Sequence, residues 1–129
     1  MSDLSRILYI EDDPDLQSVA QLALEAIGGF TMSLSESGAD GLLTAAREHP
    51  DLILLDVMMP GMDGPSTLAA LRQDPELADI PVVFVTAKVQ PAEVSHLTSL
   101  GGLGVIAKPF DPMTLASAVT ELWASRPQG

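Results

Sequence analysis

The sequence predicts an α/β fold, a parallel sheet covered by helices on both faces. Three observations carry the expectation. Short apolar runs of strand length recur five times, at 6–10, 30–34, 52–55, 82–85 and 104–107. The runs at 52–55 and 82–85 show no polar alternation, the pattern of strands buried on both faces. Between the runs lie segments with apolar residues at helical spacing and only short Gly, Pro and Asp connections, which is the βαβ pattern.

The first run ends on three acids, Glu11, Asp12 and Asp13. Asp13 followed by Pro14 has the form of a helix N-cap with proline in the first turn, so Asp13 is assigned to capping and Glu11 and Asp12 are left for function. Leu16, Val19, Ala20, Ala23, Ala26 and Ile27 recur at helical spacing, and Gly28-Gly29 ends that helix. The weak strand at 30–34 leads into a helix over 39–48, with Leu42, Leu43 and Ala46 expected to face inward. The run at 52–55 stops at Asp56, and Pro60-Gly61 and Asp63-Gly64 then mark an ordered turn. A helix over 65–72 buries Leu68 and Leu71, and the connector 73–81 breaks it. The fourth run ends at Thr86-Ala87-Lys88, a helix covers 91–100, and Gly101-Gly102 stops it. The fifth run ends at Lys108-Pro109, and Asp111-Pro112 is expected to open the last helix, whose apolar stripe is Leu115, Ala118, Val119, Leu122 and Trp123. His49 and His96 lack metal-ligand spacing and are assigned to solvated helix surface, and Trp123 to a core or edge anchor.

The 129 residues fit one domain, expected to span 1–129 with a core at about 5–125 and a frayed tail at 126–129. No apolar run approaches the roughly 18 residues of a membrane span, and the N-terminus lacks the basic and apolar regions of a signal peptide, so a cytoplasmic protein is expected. Zero cysteines remove disulfides, thiolate metal sites and cysteine catalysis. Eighteen acidic against six basic side chains give a net charge of −12, which opposes direct binding to nucleic acid or anionic membrane.

Strand ends in an open parallel sheet converge on one rim, so Glu11-Asp12, Asp56, Thr86 and Lys108 can share one crevice. Three carboxylates there require a cation. Oxygen-only donors with no histidine fit Mg²⁺, and a dication together with Lys108 balances the three negative charges. A carboxylate beside a metal and an ammonium suits phosphoryl transfer, with Asp56 as nucleophile and Thr86 as the hydroxyl that senses the added charge.

Glu11-Asp12-Asp13, the stretch 55–64, Val85-Thr86-Ala87 and Lys108-Pro109-Phe110 together resemble the receiver domain of two-component response regulators, over practically the whole chain. The resemblance implies a flavodoxin-like (βα)5 fold with sheet order 2-1-3-4-5. It implies that Asp56 is the phosphoacceptor, served by a histidine kinase or a histidine phosphotransfer protein. Asp12, Asp56 and the Met58 backbone carbonyl would bind Mg²⁺ directly and Glu11 through water. Thr86 would be the switch hydroxyl, with Ala87 in the loop that follows it. Lys108 would be the phosphate-pairing cation, aimed by a cis bond to Pro109. By the same resemblance, Met58 and Lys88 would occupy positions that tune the lifetime of the phosphorylated state.

One position departs from the family pattern. Val105 stands where receivers commonly carry Tyr or Phe, so the loop 87–91 or the fourth helix is expected to carry the signal. Output is expected through a partner, through dimerisation or by passing the phosphoryl group onward, without enzymatic turnover beyond the domain's own phosphorylation and dephosphorylation, and the resemblance implies the face of helix four, strand five and helix five as the contact surface. Two other classes compete: a constitutive interaction module on the same fold, and a Mg²⁺-dependent phosphohydrolase. Met58 opposes the second, because it stands where a leaving group would need an acid.

Overall fold

The computed structural model describes residues 3–127. Five strands, β1 (Arg6–Ile10), β2 (Thr31–Ser35), β3 (Leu52–Asp56), β4 (Val82–Thr86) and β5 (Gly104–Ala107), form one sheet in the order β2-β1-β3-β4-β5. Every pairing is parallel, with Ile7 opposite Leu52, Asp56 opposite Val85 and Thr86 opposite Ala107. The helices are α1 (Pro14–Gln21), α2 (Gly38–Glu48), α3 (Gly64–Gln73), α4 (Pro91–Ser99) and α5 (Leu115–Ala124).

The sheet is buried on both faces because successive strand residues feed opposite cores. Ile7, Tyr9, Leu52, Leu54, Val83 and Val85 pack with Ala20, Ala23 and Leu24 of the first helical segment and with Leu115 and Val119 of α5. Leu8, Ile10, Ile53, Leu55, Val82 and Phe84 pack instead with Ala45, Leu68, Leu71 and Leu97 of α2, α3 and α4. The central strands β3 and β4 are buried at every residue, as their unbroken apolar runs require.

Three local expectations are corrected. After Gln21 the first helix does not continue as α but widens into a π-helical segment, Leu22–Ile27, closed by Gly28 N–H to the Ala23 carbonyl at 3.1 Å. The wider turn shifts the phase of the helix. Leu24 therefore points into the core, while Ala26 and Ile27, expected inward, lie exposed. On α2 the inward positions are Gly41, Thr44 and Ala45, whereas Leu43 and Ala46 are exposed and Leu42 is half-buried. A Cβ added at Gly41 would overlap the Ile10 side chain, so this helix lies too close to β1 for large residues on its inner face. At Asp111-Pro112 the chain forms a turn, with the Asp111 side chain accepting from Met113 N–H at 2.9 Å, and α5 proper begins three residues later.

Gly28-Gly29 stops the first helical segment as expected, Gly29 adopting φ 78°. His49 closes α2 in the left-handed conformation at φ 48°, exposed, as is His96 on α4. Trp123 packs half-buried against the first core, and the Arg126 guanidinium lies 3.6 Å from its ring centroid. Of the expected tail, residues 128–129 fall outside the described ones.

Candidate functional site at the carboxyl ends of the strands

Parallel strands aligned in register deliver their last residues to one rim. Asp56 is the last residue of β3 and Thr86 the last of β4, while Glu11 and Lys108 directly follow β1 and β5. The ladder runs past the strands and fixes these positions: Glu11 N–H donates to Ser35 O at 2.9 Å, Val57 N–H to Val85 O at 3.2 Å, and Lys108 N–H to Thr86 O at 2.9 Å.

Glu11, Asp12 and Asp56 each present a carboxylate oxygen within 4.8 Å of the others. Glu11 and Asp56 are 1% and 3% exposed, so water does little to screen them; Asp12 is exposed at the rim. Lys108 Nζ donates to Asp56 Oδ1 at 2.7 Å and lies 2.8 Å from Glu11 Oε1. Its peptide bond to Pro109 is cis. Burial pulls the Lys108 ammonium down, but the hydrogen bonds to Asp56 and Glu11 outweigh it and hold its pKa above the ordinary lysine value. Partial desolvation, then the neighbouring Glu11 carboxyl, pushes Asp12 above the ordinary aspartate value.

One ammonium facing three carboxylates leaves two negative charges without a counterion. Hard oxygen donors, clustered closely and open to solvent at Asp12, fit a small dication of the Mg²⁺ class.

The loop after β3 folds back onto its own start. Gly64 N–H donates to Val57 O at 2.9 Å, and a Cβ added at Gly64 would lie 2.6 Å from Asp56 O, a distance no side chain tolerates. Met58 projects outward, 68% exposed, and Met59 turns into the core. Asp63 caps α3 by accepting from Ser66 N–H at 2.8 Å, and that bond holds its pKa below the ordinary value. A group with a lowered folded pKa stabilises above its unfolded pKa and loses that contribution as pH falls through the folded value. Asp63→Ala is therefore expected to cost about 1 kcal/mol at neutral pH and progressively less in acid, read from urea denaturation at the two conditions.

Thr86 is 5% exposed, and its hydroxyl oxygen accepts from Lys88 N–H at 3.1 Å. Ala87, Lys88, Val89 and Gln90 are all exposed. Val105 is half-buried against the second core, paired in register with Phe84. Asp13 caps α1 through Asp15 N–H at 2.9 Å and takes no part in the acidic cluster, as its Asp-Pro context indicates.

Two residues not singled out from sequence support the site. Gln17 Nε2 donates to Glu11 O at 2.7 Å and Ser35 O at 3.2 Å, clamping the ends of β1 and β2. Tyr9 donates its phenol O–H to Glu11 Oε1 at 2.8 Å. The two-residue spacing of Tyr9 and Glu11, which places both on one strand face, was the available signal.

Comparison with known proteins agrees with this arrangement. Residues 7–120 match the model of the response regulator receiver domain. Protein PilH of Pseudomonas aeruginosa is 32% identical over 121 residues, covering 94% of this chain and 99% of PilH. The transcriptional regulatory protein CseB of Streptomyces coelicolor is 33% identical over 119 residues, which are 92% of this chain but 49% of CseB. The chain spans about half the length of most of the curated relatives it matches. Among solved structures, the signal receiver domain of a signal transduction histidine kinase from Syntrophus aciditrophicus superposes with a TM-score of 0.79 at 31% identity, covering 96% of this chain and 95% of that one. The chemotaxis response regulator CheY4 of Vibrio cholerae has the same fold, with a TM-score of 0.85 at 23% identity over 93% of this chain and 99% of its own. With its 2-1-3-4-5 parallel sheet and its acids and lysine gathered at the strand ends, the chain belongs to the receiver domain family of two-component response regulators.

Proposed function

We propose that the domain switches by phosphorylation of Asp56. The observation that carries this reading is the buried Asp56 carboxylate, held 2.7 Å from the Lys108 ammonium and within 4.8 Å of oxygens of Glu11 and Asp12. An Asp56 oxygen attacks the phosphorus of a phosphohistidine on a kinase or phosphotransfer protein. The new P–O bond makes an acyl phosphate as the P–N bond breaks, and the imidazole leaves with a proton from solvent. Asp12, Asp56 and the Met58 carbonyl would hold Mg²⁺ directly and Glu11 through water, and the ion would supply positive charge against the phosphoryl oxygens. The Lys108 ammonium, already 2.7 Å from Asp56 Oδ1, pairs with those oxygens as well.

Thr86 then senses the product. Its hydroxyl proton donates to a phosphoryl oxygen, drawing the β4–α4 loop inward and loosening the bond from Lys88 N–H. With Val105 in place of an aromatic ring, the loop and α4 carry the change, and an output partner reads the face of α4, β5 and α5. Met58, Val89 and Met113, exposed by 68%, 43% and 71% in the segments after β3, β4 and β5, offer apolar anchors to the phosphodonor around the site. Met58 and Lys88 flank the approach of water and set the lifetime of the acyl phosphate. The domain, taken as 1–129, works in the cytoplasm without direct nucleic-acid or membrane contact, in keeping with its charge of −12.

The test is intact-mass spectrometry after incubation with acetyl phosphate and Mg²⁺. One added phosphoryl group, absent with a chelator, supports the switch. No addition from acetyl phosphate or from a histidine phosphotransfer donor leaves a constitutive interaction module as the better account. Thr86→Ala is expected to take up the phosphoryl group but to lose the phosphorylation-dependent change in amide hydrogen exchange across residues 86–93.

A further inference from the structure

Tyr9 carries a buried hydroxyl that phosphoryl transfer does not use. The side chain is 0% exposed at the penultimate position of β1, and its O–H donates to Glu11 Oε1 at 2.8 Å. Lys108 Nζ reaches the same oxygen at 2.8 Å, and Glu11 Oε2 accepts from Asp13 N–H at 3.2 Å. Three donors from three separate groups thus fix one carboxylate. The Glu11 backbone is held independently, by Ser35 O and Gln17 Nε2.

A glutamate has one more rotatable bond than an aspartate and loses more freedom when its carboxylate is fixed. Asp13 N–H and Lys108 constrain Glu11 from the rim, and Lys108 must also serve Asp56. Among the described residues, Tyr9 is the one that holds the carboxylate from within the sheet. Its ring meets Phe110 edge-on, with centroids 6.4 Å apart and planes at 67°, and Phe110 lies two residues beyond Lys108. One side chain therefore ties the acid after β1 to the segment that delivers the lysine after β5.

We propose that Tyr9 is a positioning residue that sets the Glu11 carboxylate for the dication. The inference rests on the Mg²⁺ reading above. Hydrogen-bond partners that orient metal-binding carboxylates commonly change metal affinity by about ten- to a hundredfold when removed. Tyr9→Phe keeps the ring and its packing and deletes only the donor. It is expected to weaken Mg²⁺ binding about tenfold in isothermal titration calorimetry. In a Glu11→Asp background the shorter carboxylate no longer reaches the phenol, and adding Tyr9→Phe there is expected to change affinity less than about twofold.

That pair of comparisons separates positioning from packing, because a packing defect weakens binding alike in both backgrounds. Equal loss in both backgrounds overturns the inference. So does Mg²⁺ binding by Tyr9→Phe at wild-type strength while the wild type binds normally. A wild type that takes up no Mg²⁺ overturns the metal reading itself, and the inference with it.

Discussion

Asp56→Asn protein incubated with acetyl phosphate and Mg²⁺ is expected to keep its unmodified mass, the rate of phosphoryl uptake falling by at least about a thousandfold. The amide is nearly the same size as the carboxylate and fills the same buried position at the end of β3, so the fold should persist. What it lacks is an oxygen with the charge and lone pair to displace imidazole or acetate from phosphorus. Neighbouring acids do not substitute well. Glu11 is held by Tyr9, Lys108 and Asp13 N–H, and Asp12 stands at the exposed rim. Intact-mass spectrometry over time checks the expectation, and uptake at the wild-type rate would move the acceptor elsewhere.

Lys108→Met is expected to lower the free energy of unfolding by about 3 kcal/mol when divalent ions are chelated. The Lys108 side chain is 18% exposed, and its partners Glu11 and Asp56 are buried, so removing the ammonium leaves buried like charges with no counterion. The loss should shrink with Mg²⁺, which stabilises the folded state by binding to it and meets three uncompensated charges in the variant instead of two. Urea denaturation followed by circular dichroism, with chelator and with Mg²⁺, reads both effects. A variant as stable as the wild type in chelator would mean that Lys108 does not organise the cluster.

The parts of the fold legible in the sequence are those where one residue type decides the outcome. β1 and β5 begin and end where the apolar runs do. β3 and β4, buried at every residue, end at Asp56 and Thr86, because a strand buried on both faces admits polar groups only at its ends. The candidate site followed from that rule, since four of the five runs stopped at a group with chemistry, the exception being the weak run that became β2. What escaped was set by tertiary packing. Leu22–Ile27 contains good α-helix formers, and nothing in its composition marks the π-helical widening that turns Leu24 inward and Ile27 outward. On α2 the apolar residues misled because the close approach of Ile10 reserves the inner face for Gly41, Thr44 and Ala45. Tyr9 escaped as a site residue because its ring belongs to the core while its hydroxyl belongs to the site, and hydrophobic patterning registers only the ring.

The most direct measurement on the central claim is to locate the phosphoryl group. Protein phosphorylated with acetyl phosphate and Mg²⁺ is treated with borohydride, which reduces an aspartyl phosphate to homoserine, and then digested and sequenced by tandem mass spectrometry. Homoserine at position 56 and nowhere else is the predicted result. Homoserine at position 12 or another aspartate, or intact aspartate at position 56 in protein that has gained the phosphoryl mass, would contradict the account.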